Sequence, residues 1–290
     1  SIIIGEKKIL KDLKRSNKNG GDFIDSFTTN RPIDYDSLYT IDNTVAEIIV
    51  DEGFNKYMGP IKKNIYLVGH KSKINSVAIA PDGNTALTGS DDGKAILWNA
   101  QNCKARLVFE GHKGPVKAVQ MTPDIKWVVT GGMDGSIKLW DGKDGRFFKS
   151  FDFHSKPVSA VAITPDGEKV CAGSWDNTAS IWVTNDSNKQ ITLRGHQGII
   201  TAISISPDGK TVATGSEDSR IIIWNAASGQ KISSLEGYTG WLDPLVLNYD
   251  GSRLITGGKN CKIWDTFTGN SLIDLQPNFL YNQKIVRSLV

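Results

Sequence analysis

The sequence predicts an all-β protein built from one repeated unit, and three regularities carry that prediction. His70, His112, His154 and His196 stand 42 residues apart, with Tyr238 at the fifth place in the same register. Trp98, Trp140, Trp182 and Trp224 keep the same interval, and Trp264 follows after 40. Asp92, Asp134, Asp176 and Asp218 each lie 22 residues after their histidine. Between these marks, period-two apolar runs alternate with Pro-Asp-Gly and Asp-rich turns, which is the pattern of short antiparallel strands. A period of 40 to 45 residues with four strands per unit is the mark of a β-propeller.

The first well-formed unit places its strands at 74–80, 85–89, 94–99 and 105–109, and the next three follow the same plan with third strands ending at Trp140, Trp182 and Trp224. The fifth unit decays. It has Tyr238 for His, Tyr249-Asp250-Gly251 for Pro-Asp-Gly, and Lys259-Asn260 where the turn aspartate is deleted. Laid over the repeat, residues 33–68 form a degenerate blade, with strands at 45–50, 54–58 and 65–68 and Met58 in the place of Trp. A helix over 44–51 competes with that reading, because apolar runs this short are ambiguous. At the ends, residues 1–4 resemble a third strand, residues 8–13 follow as a fourth, and residues 279–290 hold two apolar pieces. A seventh blade shared by residues 1–14 and 279–290 is expected to close the ring, since an open propeller leaves sheet faces unpacked. Six blades with loose tails is the alternative, and 16–30, rich in Gly, Asn and Ser, is a loop on either reading.

On these residues the chain resembles the WD40-repeat family. The likeness rests on the Gly-His pairs, the Pro-Asp-Gly turns, the aspartate before the third strand and the tryptophan closing it. Trp140-Asp141 and Trp264-Asp265 keep the literal dipeptide. It covers residues 65–275, and it speaks to fold rather than function. The resemblance implies a hydrogen-bond relay in each blade from turn Asp to His, to a hydroxyl on the second strand, to the Trp indole. The matching hydroxyls are Thr88, Thr130, Thr214 and Thr256. Ala172 departs, so the third unit is expected to lack the relay between His154 and Trp182. Such a network satisfies buried polar groups and pins the strands, so the recurring His-Asp-hydroxyl set reads as structure rather than as a catalytic triad.

Composition narrows the function classes. The chain has 290 residues, 39% hydrophobic content and eight tryptophans, ample for one closed body with a core. Net charge is +3; residues 1–18 carry six basic and two acidic side chains, leaving the rest at about −1 without a basic face, which disfavours a nucleic-acid role. Three unpaired cysteines, Cys103, Cys171 and Cys261, give neither a zinc pattern nor a disulfide framework, and a reducing cytoplasmic setting is expected, with the nucleus as the alternative. No run of 18 apolar residues exists, so no membrane span is expected. A chain beginning at Ser rather than Met reads as processed or trimmed. No HExxH, Walker loop, dinucleotide fingerprint or nucleophile elbow is present. With every histidine in a repeat position, no catalytic residue, metal or cofactor is expected.

What remains is a surface. In the family, partners commonly dock on the face that carries the loops between fourth and first strands and the turns between second and third. Carried across, the positions pointing out there are Lys73, Asn75 and Asp91; Pro115, Lys117 and Met133; Pro157, Ser159 and Trp175; Ile199, Thr201 and Glu217; and Trp241, Asp243 and Lys259. Trp127, at the start of a second strand, is expected to be packed. Trp175 and Trp241 sit in a turn and a loop, where aromatic side chains near Met and Pro suit an interaction hot spot. The competing reading folds Trp175 over its own blade, into the space left by Ala172. The expected function is a non-catalytic scaffold, monomeric by itself, that binds a protein or peptide. The alternatives are an enzyme using the central channel, or nucleic-acid binding through the basic N-terminal stretch.

Overall fold

The computed structural model describes residues 45–48, 65–236, 244–257 and 261–275. The chain divides into two compact units, Ser1–Lys71 and Ser72–Val290. Among the described residues every regular element is a strand.

In the first unit β1 (Val45–Ile48) pairs antiparallel with β2 (Ile65–Val68), setting Val45 against Val68 and Ile48 against Ile65. The run is a strand, not the competing helix. The direct pairing also corrects the expected blade order. As second and fourth strands, 45–50 and 65–68 would be separated by a third at 54–58, and they are instead neighbours. Residues 54–58, like the two ends assigned to a shared closing blade, lie outside the described residues.

Among its described residues the second unit holds five four-stranded antiparallel sheets. The first is β3 (Ile74–Ile79), β4 (Thr85–Ser90), β5 (Lys94–Asn99) and β6 (Lys104–Glu110). The second is β7 (Val116–Met121), β8 (Trp127–Gly132), β9 (Ser136–Asp141) and β10 (Phe147–Asp152). The third is β11 (Val158–Ile163), β12 (Lys169–Ser174), β13 (Thr178–Val183) and β14 (Asp186–Arg194). The fourth is β15 (Ile200–Ile205), β16 (Thr211–Ser216), β17 (Ile221–Asn225) and β18 (Lys231–Leu235). The fifth, despite its decayed sequence, is complete: β19 (Leu245–Leu247), β20 (Arg253–Thr256), β21 (Cys261–Asp265) and β22 (Ser271–Leu275). Each sheet is a meander, and the first strands of successive sheets lie side by side. These are blades of a β-propeller.

The turns between first and second strands follow from their aspartates. Asp82, Asp124, Asp166, Asp208 and Asp250 each accept a bond from the amide two residues on, at 2.8 to 3.0 Å. The next residue must take the left-handed conformation, and Gly83, Gly167, Gly209 and Gly251 supply it without a Cβ clash. In the second sheet Ile125 stands there instead, at φ 57°, which is costly for a β-branched residue.

Between sheets the core is a series of sockets. A Cβ placed on Gly131 would lie 2.5 Å from Val158 and 2.9 Å from Val161, side chains of the next sheet. Gly89 stands in the same relation to Val116 and Val119, and Gly173 to Ile200. The glycine on one second strand thus admits the β-branched side chains of the following first strand. Around these contacts lie shared clusters, such as Leu97 and Phe109 of the first sheet with Val119, Val128 and Trp140 of the second. Val119 and Met121 are 6% and 7% exposed there, whereas Val77 and Ile79, their counterparts on the first sheet, are 54% and 48% exposed.

Candidate functional site

Each blade has two functional-looking constellations, the buried relay and the exposed end beside it. In the second sheet Trp140 Nε1 donates to Thr130 Oγ1 at 2.9 Å, and Thr130 Oγ1 lies 2.8 Å from His112 Nε2. His112 Nδ1 lies 3.0 Å from Asp134 Oδ1. The indole can only donate, so one assignment satisfies the whole chain. The Thr130 hydroxyl donates to Nε2, and the neutral imidazole donates from Nδ1 to the carboxylate. Asp134 also accepts from the Lys113 amide and from the Ser136 amide and hydroxyl. Burial alone would raise the Asp134 carboxyl, but these bonds outweigh it and hold its pKa at about 2. Burial also lowers the His112 pKa, against the pull of Asp134. The pair is therefore neutral imidazole beside carboxylate.

The fourth sheet repeats the arrangement, with Trp224, Thr214, His196 and Asp218 linked at 2.8, 2.8 and 3.0 Å. In the first sheet Trp98 Nε1 donates to Thr88 Oγ1 at 2.7 Å, and the Lys94 amide donates to Asp92. In the fifth, Trp264 Nε1 donates to Thr256 Oγ1 at 3.0 Å, and Thr256 donates to the Lys262 carbonyl.

The third sheet corrects the expectation of a broken relay. His154 Nε2 lies 3.0 Å from Ser180 Oγ, which accepts from Trp182 Nε1 at 3.1 Å. His154 Nδ1 lies 3.0 Å from Asp176. Ser180 is on β13, directly across the ladder from Ala172 on β12. The hydroxyl has moved one strand over on the same rung, within reach of both rings. Ala172 is fully buried, while Trp175 is 37% exposed.

The exposed end is organised by a bulge. The register of the first strand shifts at Asn75, Lys117, Ser159 and Thr201, each the extra residue between two paired neighbours. A bulge re-aims the side chain of its extra residue, and the sequence had singled out these four positions. Each third member of the triplets is tied back to the first. The amides of Asp91, Met133, Trp175 and Glu217 donate to the carbonyls of Lys73, Pro115, Pro157 and Ile199 at 2.8 to 3.0 Å. The triplets therefore converge blade by blade. Trp175 is 37% exposed, Lys73 and Glu217 are exposed, and Met133 and Ile199 are half-buried. Two of these residues are already engaged with each other. Lys117 Nζ lies 2.8 Å from Asp91, which also accepts from Asn75 at 2.7 Å. These bonds, Lys117 first, lower the Asp91 pKa. Trp241, Asp243 and Lys259 lie outside the described residues.

Sequence reasoning missed Ser180, and it missed Ser136 and Thr178, whose hydroxyls donate to the turn aspartates at 2.8 and 2.6 Å. Their placement two residues after the aspartate was the available signal. Trp127 is packed as expected: half-buried, it lies against the cluster of Val129, Val158 and Trp182, its ring 4.7 Å from that of Phe148. All three cysteines are free, and burial pushes the Cys171 thiol up to about 12, which makes it inert. Among the described residues no group of three or more His, Cys, Asp or Glu is arranged to hold a metal, and no helix is long and apolar enough to cross a membrane.

No curated protein matches the chain. The family model described as "WD domain, G-beta repeat" matches at 61–99, 103–141, 145–183 and 187–225. Each window ends one residue after its tryptophan, and the fifth sheet lies outside them. With four matches covering more than half of its length, the chain belongs to the WD40-repeat family.

Proposed function

We propose that this protein is a non-catalytic module that binds a protein or peptide partner on the face carrying the bulged first-strand residues and the turns between second and third strands. WD40 repeats generally act as scaffolds for protein–protein interaction. The observation that carries the reading is Trp175. A tryptophan at a tight turn, its backbone tethered through the amide to Pro157 and the residue 37% exposed, is placed to serve as an anchor for a partner. Met133 occupies the same turn position on the neighbouring blade, and Lys73 and Glu217 supply charges of both signs on the flanking blades. The pairings of His112, His154 and His196 with aspartates support the same reading, because each imidazole is committed on both nitrogens.

Random twelve-residue peptides displayed on phage and selected on the wild-type protein test this. Selected peptides should lose about 2 kcal/mol of affinity, roughly 30-fold, on Trp175→Ala, while its melting temperature stays at the wild-type value. If stability falls and affinity does not, Trp175 is a packing residue and the reading fails.

A further inference from the structure

Two of the bulged first-strand residues tie their sheet to the next one, and a third departs from that pattern. Asn75 Nδ2 donates to the carbonyl of Val116, the first residue of β7, at 2.9 Å. Ser159 Oγ donates in the same way to the carbonyl of Ile200, the first residue of β15. The matching acceptor for Lys117 is the carbonyl of Val158, the first residue of β11. Among the described residues no side chain donates to it. Lys117 turns back to the preceding sheet instead, with Nζ 2.8 Å from Asp91 Oδ1 and 3.5 Å from Asn75 Oδ1. Asn75 Nδ2 holds the same carboxylate oxygen at 2.7 Å, so Asp91 is fixed from two sides. The Lys117 and Asp91 side chains are 26% and 29% exposed, and water screens their attraction only in part.

That detour sets the character of the seam between the second and third sheets. Their triplets are Pro115, Lys117 and Met133, and Pro157, Ser159 and Trp175. The first strands that carry them, β7 and β11, lie side by side. Ser159 has spent its hydroxyl on the Ile200 carbonyl, and Lys117 is the one charged residue of the six. An ammonium laid on an apolar contact must shed its water, which opposes binding, and a lysine stem is flexible enough to lie there unless something holds it. We propose, on the reading of Trp175 as the anchor, that Asp91 is a positioning residue of the binding face: it draws Lys117 over the first sheet and so keeps the seam beside Met133 and Trp175 fit for a large, uncharged apolar side chain of the partner segment. Asp91 and Lys117 act on each other here, and neither touches the partner. Released from Asp91, Lys117 takes the forward bond that Asn75 and Ser159 make, to the Val158 carbonyl, and carries its charge onto the seam.

The test makes Asp91→Ala in two backgrounds, wild type and Lys117→Leu, with Asp91→Asn as a second variant that keeps the shape of the turn. The first readout needs no partner. With carbon-13 methyl labels on the three methionines, the Met133 resonance should move when Asp91→Ala is made in the wild type. It should stay in place when the same change is made on Lys117→Leu. The second readout is the affinity of phage-selected peptides that depend on Trp175. They should weaken about tenfold on Asp91→Ala in the wild type and hold their affinity when it is made on Lys117→Leu. The proposal is overturned if the Met133 resonance ignores Asp91→Ala. It is also overturned if the peptides weaken equally in both backgrounds, which makes Asp91 itself a contact, or if Lys117→Leu alone abolishes binding, which makes Lys117 one. Peptides indifferent to Trp175 would sink the anchor reading, and the Met133 resonance tests the hold on Lys117 separately from it.

Discussion

Ala172 and Ser180 face each other across one rung of the β12–β13 ladder, and between them they hold the single hydroxyl that joins His154 to Trp182. In the second and fourth sheets the same rung holds the hydroxyl on the other strand, as Thr130 opposite Lys138 and Thr214 opposite Ile222. Ser180→Ala should therefore lower stability by roughly 1–3 kcal/mol, because it leaves buried Trp182 and His154 nitrogens unpaired. Ala172→Thr placed on that variant should restore most of the loss. His154→Ala should cost as much as His112→Ala. Chemical denaturation of the four variants checks the ranking, and a silent Ser180→Ala would show the relay to be dispensable.

Acid should weaken the fold in two steps. Burial lowers the pKa of His112, His154 and His196 below the ordinary 6.5. As pH falls below 6.5 the unfolded chain takes up protons that the folded chain refuses, so stability is full above that value and is lost as pH falls toward the folded pKa values. The slope reaches about 1.4 kcal/mol per pH unit for each histidine. Asp134 adds a second loss between 3.8 and about 2, because its folded value is depressed. Unfolding free energy measured from pH 8 to 3 should show the first fall, and His112→Gln should shrink it. A flat profile between pH 7 and 5 would contradict the neutral-imidazole assignment.

Gly131→Ala should destabilise by about 1–3 kcal/mol through overpacking, since the added methyl meets Val158 and Val161. Gly131→Ala with Val158→Ala should recover part of that loss, a coupling that a double-mutant cycle reads directly. Additive losses would mean that the clash is not with Val158.

The exposed Val77 and Ile79 bear on ring closure, which we propose involves residues 1–14 and 279–290. On that view a chain shortened by residues 276–290 should melt at a lower temperature and bind more of a dye that reports apolar surface. Identical melting of the full and shortened chains would remove the proposal.

The relay was readable wherever it obeys the repeat. Thr130, Trp140, His112 and Asp134 occupy fixed places because one geometry recurs; the bulges at Asn75, Lys117, Ser159 and Thr201 fall on positions that the family resemblance implied point outward, but the bulges themselves leave no mark in the repeat. Ser180 was not. Alignment of repeats compares residues along a strand, whereas the bond that matters runs across a rung. The pairing of β1 with β2 escaped for a related cause, since a degenerate strand keeps its apolar residues after losing the marks that specify its neighbour.

The glycine sockets have a consequence for how this molecule can be divided. The family windows at 103–141, 145–183 and 187–225 each run from the fourth strand of one sheet through the third strand of the next, and each socket on Gly89, Gly131 or Gly173 is filled from the sheet that follows. A sheet is thus not self-sufficient: a cut after the first, second or third sheet leaves a vacant notch on one piece and bare valine or isoleucine on the other. Two such pieces carry matching halves of one lock. Co-expressed, they should find each other in preference to unrelated blades, which makes the boundary between Gly131 and Val158 a natural seam for a split reporter.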